Sequence, residues 1–192
     1  MYALGAGTFK TVAVSEHGRE QVLFFAYPGE IIGLDGFAGT CLSTAVALEA
    51  GWVARVPFAS LQMLATRHPP VQRLLNFLFN EDIGRCMRAI ALHGVWPSEA
   101  RVAAFLLDLA RRTRERVPPG SSVALPMSGW ELGSHLGLRA ETVSRAVSAL
   151  IAARLLRGCR RTAVLLDPEG LQALAADGTL RKRPGARRST DD

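Results

Sequence analysis

The spacing of apolar residues changes along this chain, and each change marks a new kind of element. Over residues 1–66 short apolar runs alternate with polar positions, the period of strands. Thr11-Val12-Ala13-Val14 and Gln21-Val22-Leu23-Phe24-Phe25 flank Ser15 to Glu20, which predicts a hairpin with Gly18 in its loop. Thr44 to Val56 is a further β-rich run, interrupted at Gly51. After Pro69 and Pro70 the period lengthens: Val71, Leu75, Leu78, Phe79, Ile83, Met87 and Ile90 recur at spacings of three, four or seven. If residues 70–93 are helical, this stripe runs for about 36 Å and fits a coiled-coil contact between two copies. A helix lying on its own β-rich half satisfies the same periodicity. Trp96-Pro97 ends the helix and Ser98 caps the next, whose Val102, Phe105, Leu106 and Leu109 form a buried face. Its end, Arg111 to Arg116, carries positive charge that suits a helix C-terminus.

The most informative segment is Met127 to Leu150, which has the grammar of a helix-turn-helix. Ser128 and Glu131 form a capping box, so a helix starts there and buries Leu132 and Leu136. Gly133 is small where two helices cross, and Gly137 supplies the left-handed backbone that ends the helix. In the second helix Leu138, Val143, Ala146, Val147 and Leu150 have core-facing spacing. That leaves Arg139, Ala140, Glu141, Ser144, Arg145 and Ser148 on the opposite face. Beyond it, Leu156 to Leu166 reads as a winged hairpin with Arg160 and Arg161 at its tip, suited to phosphate contacts. Asp167-Pro168-Glu169 then opens a short closing helix through Leu171 and Leu174.

Composition and charge agree with a nucleic-acid partner. The 192 residues are 48% hydrophobic, enough for a real core, and carry a net charge of +6. Residues 1–66 hold 3 Lys and Arg against 5 Asp and Glu, whereas residues 97–176 hold 11 against 7, so the positive excess lies in the half with the motif. A basic balance alone fits RNA or a membrane surface equally well. There is no signal-peptide pattern and no apolar stretch of spanning length, so the sequence points to the cytoplasm and not to a membrane. An enzyme is not expected, since no nucleophile with a base, paired catalytic carboxylates, phosphate loop or metal cluster is visible. Cys41, Cys86 and Cys159 are too scattered for a metal motif, and Cys86 reads as a small buried residue.

The run Leu136-Gly137-Leu138-Arg139-Ala140-Glu141-Thr142-Val143-Ser144-Arg145, with Pro97 to Leu109 upstream, resembles the Crp/Fnr transcription regulators, on the Fnr side. Tyr2 to Lys10 and Pro28-Gly29-Glu30-Ile31-Ile32-Gly33-Leu34-Asp35 are similar to strands of that family's sensory β-roll. The resemblance implies an α+β chain. A partial, cyclic-nucleotide-binding-like β-roll spans 1–66, a dimerisation helix 67–96 and a winged helix-turn-helix 97–176, with its motif at 128–150. A disordered basic tail is expected over 177–192. The match starts part-way through the β-roll, which leaves a truncated chain, a misassigned start or a natural short form as alternatives.

The resemblance also implies function: a homodimer on double-stranded DNA, reading an inverted repeat of half-sites similar to TTGAT, with RNA polymerase as a further partner. Glu141, Ser144 and Arg145 match the family's base-reading positions. Arg139, Thr142, Ser148, Arg160 and Arg161 are expected on the DNA backbone, and Val71, Leu75, Leu78, Phe79, Ile83, Met87 and Ile90 at the dimer interface. Oxygen-sensing relatives hold an iron–sulfur cluster, but the N-terminal cysteines are absent here and the internal ligand position is Ala54. Neither that cluster nor haem nor zinc is expected. Gly29, Glu30, Ser43 and Thr44 outline a weak effector pocket; Leu42-Ser43-Thr44 lacks the Arg that holds a cyclic nucleotide's phosphate in relatives. The effector stays unknown. An effector-independent repressor with a degenerate sensor, or a cyclic-nucleotide-responsive regulator, are the alternatives.

Overall fold

The computed structural model describes residues 1–113, 117–158 and 160–178, and the chain divides into two compact units. Cys159 and the tail from residue 179 onward lie outside the described residues. Among the described residues, no helix is long and apolar enough to cross a membrane.

The first unit comprises Met1–Val95 and Pro126–Arg139. It holds two antiparallel three-stranded sheets. One has the order β4 (Ile31–Ile32), β1 (Tyr2–Ala6), β6 (Trp52–Arg55); the other β3 (Glu20–Ala26), β2 (Phe9–Val14), β5 (Thr44–Ala47). Leu4, Val12, Val22, Phe25, Ala26 and Ile32 are buried and form the core. The expected hairpin is β2–β3, closed through Gly18, whose φ of 73° favours glycine.

The helix α1 (Phe58–Arg67), absent from the sequence reading, precedes α2 (Pro69–Val95). Phe37, in the 3-10 turn Leu34–Ala38, meets Phe58 of α1 and Phe79 of α2 edge-on, with centroids 5.4 and 5.1 Å away. The guanidinium of Arg85 stacks on Phe24 of β3 at 5.7 Å. These contacts turn one side of α2 onto its own sheets and correct the reading of a single seven-residue stripe. Leu75 is only 3% exposed and Val71, Leu78 and Phe79 are half-buried, whereas Ile83, Met87 and Ile90 are 56%, 64% and 69% exposed. A second correction concerns Cys86, which is exposed on α2 and not buried. Packing against Phe37 and Phe24 selects which turns of the helix face inward, and spacing alone does not carry that choice.

The second unit comprises Trp96–Leu125 and the described residues from Ala140 onward. Its centre is α3 (Ser98–Thr113), which packs against α5 (Ala140–Ala152) and α6 (Pro168–Asp177). Val102 and Leu106 are fully buried, and Phe105 and Leu109 nearly so. Asp167 caps α6 by accepting from the Gly170 backbone N–H at 2.9 Å, with Pro168 at the first helical position. The wing is a three-stranded sheet of order β7 (Ser121–Ala124), β9 (Thr162–Leu165), β8 (Leu156–Arg157), so the expected hairpin gains a strand.

Candidate nucleic-acid interface

The motif's first helix, α4 (Gly129–Leu136), belongs to the first unit, and its second, α5, to the second; each is built by its own local chemistry. Around α4 the capping box is complete. Ser128 Oγ accepts from the Glu131 N–H at 3.2 Å, and the Glu131 carboxylate accepts from the Ser128 N–H at 2.7 Å. Gly137 ends the helix at φ 65°, with the Leu138 N–H returning to the Gly133 carbonyl.

α5 buries one face and exposes the other. Val143, Ala146 and Leu150 are buried, while Glu141, Ser144, Arg145 and Ser148 are exposed, as is Arg139 at the residue before the helix. The positions i, i+3, i+4 and i+7 place those four exposed side chains on one strip. Along it, Arg145 Nη2 donates to Thr142 Oγ1 at 3.4 Å, and Ser148 Oγ donates to the Ser144 carbonyl at 2.9 Å. The Ser148 hydroxyl proton is therefore spent on its own helix. A strip carrying a five-donor guanidinium, a carboxylate and a hydroxyl offers both donors and acceptors to base edges, and the cation lies one turn from the anion. On the wing, Arg160 and Arg161 are exposed.

The residues expected around an effector pocket fall on different sheets. Glu30 immediately precedes β4, its carboxylate accepting from the Tyr27 N–H at 3.0 Å, and Thr44 opens β5. The Ser43 N–H and hydroxyl, together with the Leu42 N–H, all donate to Asp35 Oδ2 at 2.8 to 2.9 Å. On the facing helix, burial pushes the Asp82 carboxyl up, Asp35 adds to this, and Arg85 opposes it. Among the described residues no group of three His, Cys, Asp or Glu is placed to hold a metal ion.

One functional neighbour was missed in the sequence. Lys10, on β2, is buried, and its ammonium lies 2.9 Å from Glu131 Oε1, 3.7 Å from Glu20 and 5.9 Å from the Trp130 ring centroid. Burial pushes the Glu131 carboxyl up. The hydrogen bonds from Ser128 and Lys10 and the Lys10 charge outweigh that and leave it below its ordinary value of 4.5. The available signal was a lysine two residues from Val12 on the same strand face, a charge at a core position that needs a partner. Nothing local says that the partner lies 121 residues later.

Comparison with known proteins places this geometry in a family. Residues 1–68 match the cyclic nucleotide-binding domain and residues 100–174 the Crp-like helix-turn-helix domain. The chain is 35% identical over 175 residues to the transcriptional regulatory protein btr of Bordetella pertussis, covering 91% of this chain and 72% of that one. It is 34% identical to the transcriptional activator protein Anr of Pseudomonas protegens, with the same two coverages. Among solved structures, FixK2 from Bradyrhizobium japonicum superposes with a TM-score of 0.80 at 31% identity, over 90% of this chain and 85% of that one. A TM-score of 0.70 to a CRP/FNR family regulator of Thermus thermophilus, at 23% identity over 93% and 88% of the two chains, agrees in fold. The chain belongs to the Crp/Fnr family of DNA-binding transcription regulators.

Proposed function

We propose that this regulator acts in the cytoplasm as a homodimer, placing two α5 helices in successive major grooves of an inverted repeat with TTGAT-like half-sites. The observation that carries the reading is the exposed Glu141, Ser144 and Arg145 strip on a helix whose other face is buried. Arg145 donates twice to a guanine, Glu141 accepts from a cytosine or adenine amino group, and Ser144 lies against a neighbouring thymine or adenine. Arg139, Thr142, Arg160 and Arg161 meet phosphates, and Ser148 joins them through its free lone pairs. The exposed Ile83, Met87 and Ile90 supply the contact between copies. RNA polymerase is the further partner; three relatives are named as transcriptional activators.

The same reading makes DNA binding independent of a cyclic nucleotide, an iron–sulfur cluster or haem. A phosphate needs donors, and the Leu42 and Ser43 N–H groups and the Ser43 hydroxyl already serve the Asp35 carboxylate, an anion that a phosphodiester would have to displace. The Glu30 carboxylate is engaged with the Tyr27 N–H, and Ala54 offers no thiolate. The residues present do not fit a cyclic nucleotide. Fluorescence anisotropy of the full chain on a labelled TTGAT-N4-ATCAA duplex and on a scrambled duplex, without effector and then with cyclic AMP, tests both parts. Selective binding that cyclic AMP leaves unchanged is expected. Equal affinity for both duplexes overturns the operator, and a cyclic-AMP-dependent gain overturns effector independence.

A further inference from the structure

β3 is an outer strand of its sheet, so its outward backbone groups must find partners beyond the ladder, and they find them on α4. The Val22 N–H donates to Ser134 Oγ at 2.9 Å, the Leu23 carbonyl meets His135 Nδ1 at 2.8 Å, and Gln21 Nε2 donates to the Ser134 carbonyl. Beneath them the His135 ring packs edge-on against the buried Phe25, with centroids 5.3 Å apart. Beside them Lys10 reaches Glu131 at 2.9 Å. The ion pair, the hydrogen bonds and the ring contact all join the same two pieces of one compact unit: the β2–β3 hairpin of the sensory domain and the first helix of the DNA-binding motif.

We propose that Lys10, Ser134 and His135 are positioning residues for DNA binding, fastening α4 to the edge of β3 so that the helix following it is held ready to read DNA. The proposal rests on the DNA-binding reading above. Only Gly137, Leu138 and Arg139 separate α4 from α5, so restricting α4 restricts where the reading helix starts. Orientation fixed in the free protein is freedom that need not be lost on binding. The lysine suits the task because its charge is largely buried: without Glu131 it would keep only the longer 3.7 Å pairing with Glu20 of its own hairpin, so the docked arrangement is the one that satisfies it best. Glu131 serves two purposes at once, capping α4 through Ser128 and tying the capped end to the sheet.

The test uses the full chain and Lys10→Met, Glu131→Gln and the double variant; Gln keeps a capping side chain while removing the charge. Operator affinity is measured beside amide hydrogen exchange. Each single variant is expected to weaken binding to the operator about tenfold, with the double no weaker than either, because all three break one contact. Exchange should speed up at Val22 and along α4 but stay unchanged in α3 and α6; a general loss of stability would raise it everywhere. Ser134→Ala, which removes only the Val22 acceptor, carries the same expectation should Lys10→Met fail to fold. Unchanged or tighter operator binding with faster Val22 exchange would show the contact to be packing alone and overturn the proposal, as would losses that add. A wild-type chain with no preference for the operator would remove the DNA reading itself, and the proposal with it.

Discussion

Arg145 and Arg160 are both exposed arginines in the DNA-binding half, yet the proposed function gives them different work. Arg145 sits on a helix strip beside an acceptor, Thr142, which limits where its guanidinium points; Arg160 lies exposed on the wing. Arg145→Ala should cost about 1–3 kcal/mol on the operator and relax selectivity at the guanine, whereas Arg160→Ala should weaken all sequences alike and flatten the salt dependence. Anisotropy titrations over a salt series separate the two, and equal losses on operator and scrambled DNA for Arg145→Ala would take it out of base reading. The Glu131 carboxyl makes a further prediction. Its folded-state pKa is depressed below 4.5, so the stability it contributes is present above that value and is lost as the pH falls through the lower, folded-state value. Thermal unfolding curves of wild type and Glu131→Gln should therefore differ at neutral pH and converge in acid; a constant gap would mean that the charge contributes nothing. At this scale legibility follows sequence distance. Ser128 and Glu131, three residues apart, announce their capping box; Lys10 and Glu131 meet only once the chain has folded.

Helices and strands were legible where one face is buried and the other wet, as in α5, and obscure where that contrast fails. α1 carries exposed Met63 and Leu64 and buries only Ala65, so its apolar positions do not mark a single inward face. β7 is four residues long with Val123 its one large apolar side chain, and it exists because β9 pairs with it from some forty positions away. α2 fails in the opposite sense, since apolar residues occur on two of its faces and their spacings merge into one stripe. The structure separates Leu75, which lies inside its own unit, from the exposed residues downstream. Leu75→Ala should accordingly lower stability by about 2–5 kcal/mol, the usual cost of a cavity in a packed core. Chemical denaturation measures it, and a loss well under 1 kcal/mol would place Leu75 outside the core.

At the scale of the whole molecule, what one chain leaves unpartnered matters as much as what it buries. Ile83, Met87 and Ile90 are each more than half exposed on a 27-residue helix, at spacings of four and then three, which fits the d–a–d positions of a coiled-coil seam. Three large apolar side chains in one line are a costly surface for a lone chain, and in the proposed homodimer a second copy of the same helix would cover them symmetrically. Asn76 and Asn80 continue the same spacing toward the start of α2, where in such a seam polar residues would fix register at some expense of affinity. Ile83→Glu places two like charges opposite each other in such a seam while touching nothing in the core of the protomer. Sedimentation equilibrium should find a dimer for the wild-type chain and monomers for the variant, with the unfolding temperature of the separated chain little changed. The consequence for DNA follows from valence. Two linked reading helices engage the second half-site at high effective concentration, so the variant should hold a full inverted repeat no better than a single half-site, while the wild type holds the full repeat far more tightly. If Ile83→Glu stays dimeric, the exposed stripe is not the seam; if it turns monomeric yet keeps its preference for the full repeat, two copies meet on the DNA through another surface.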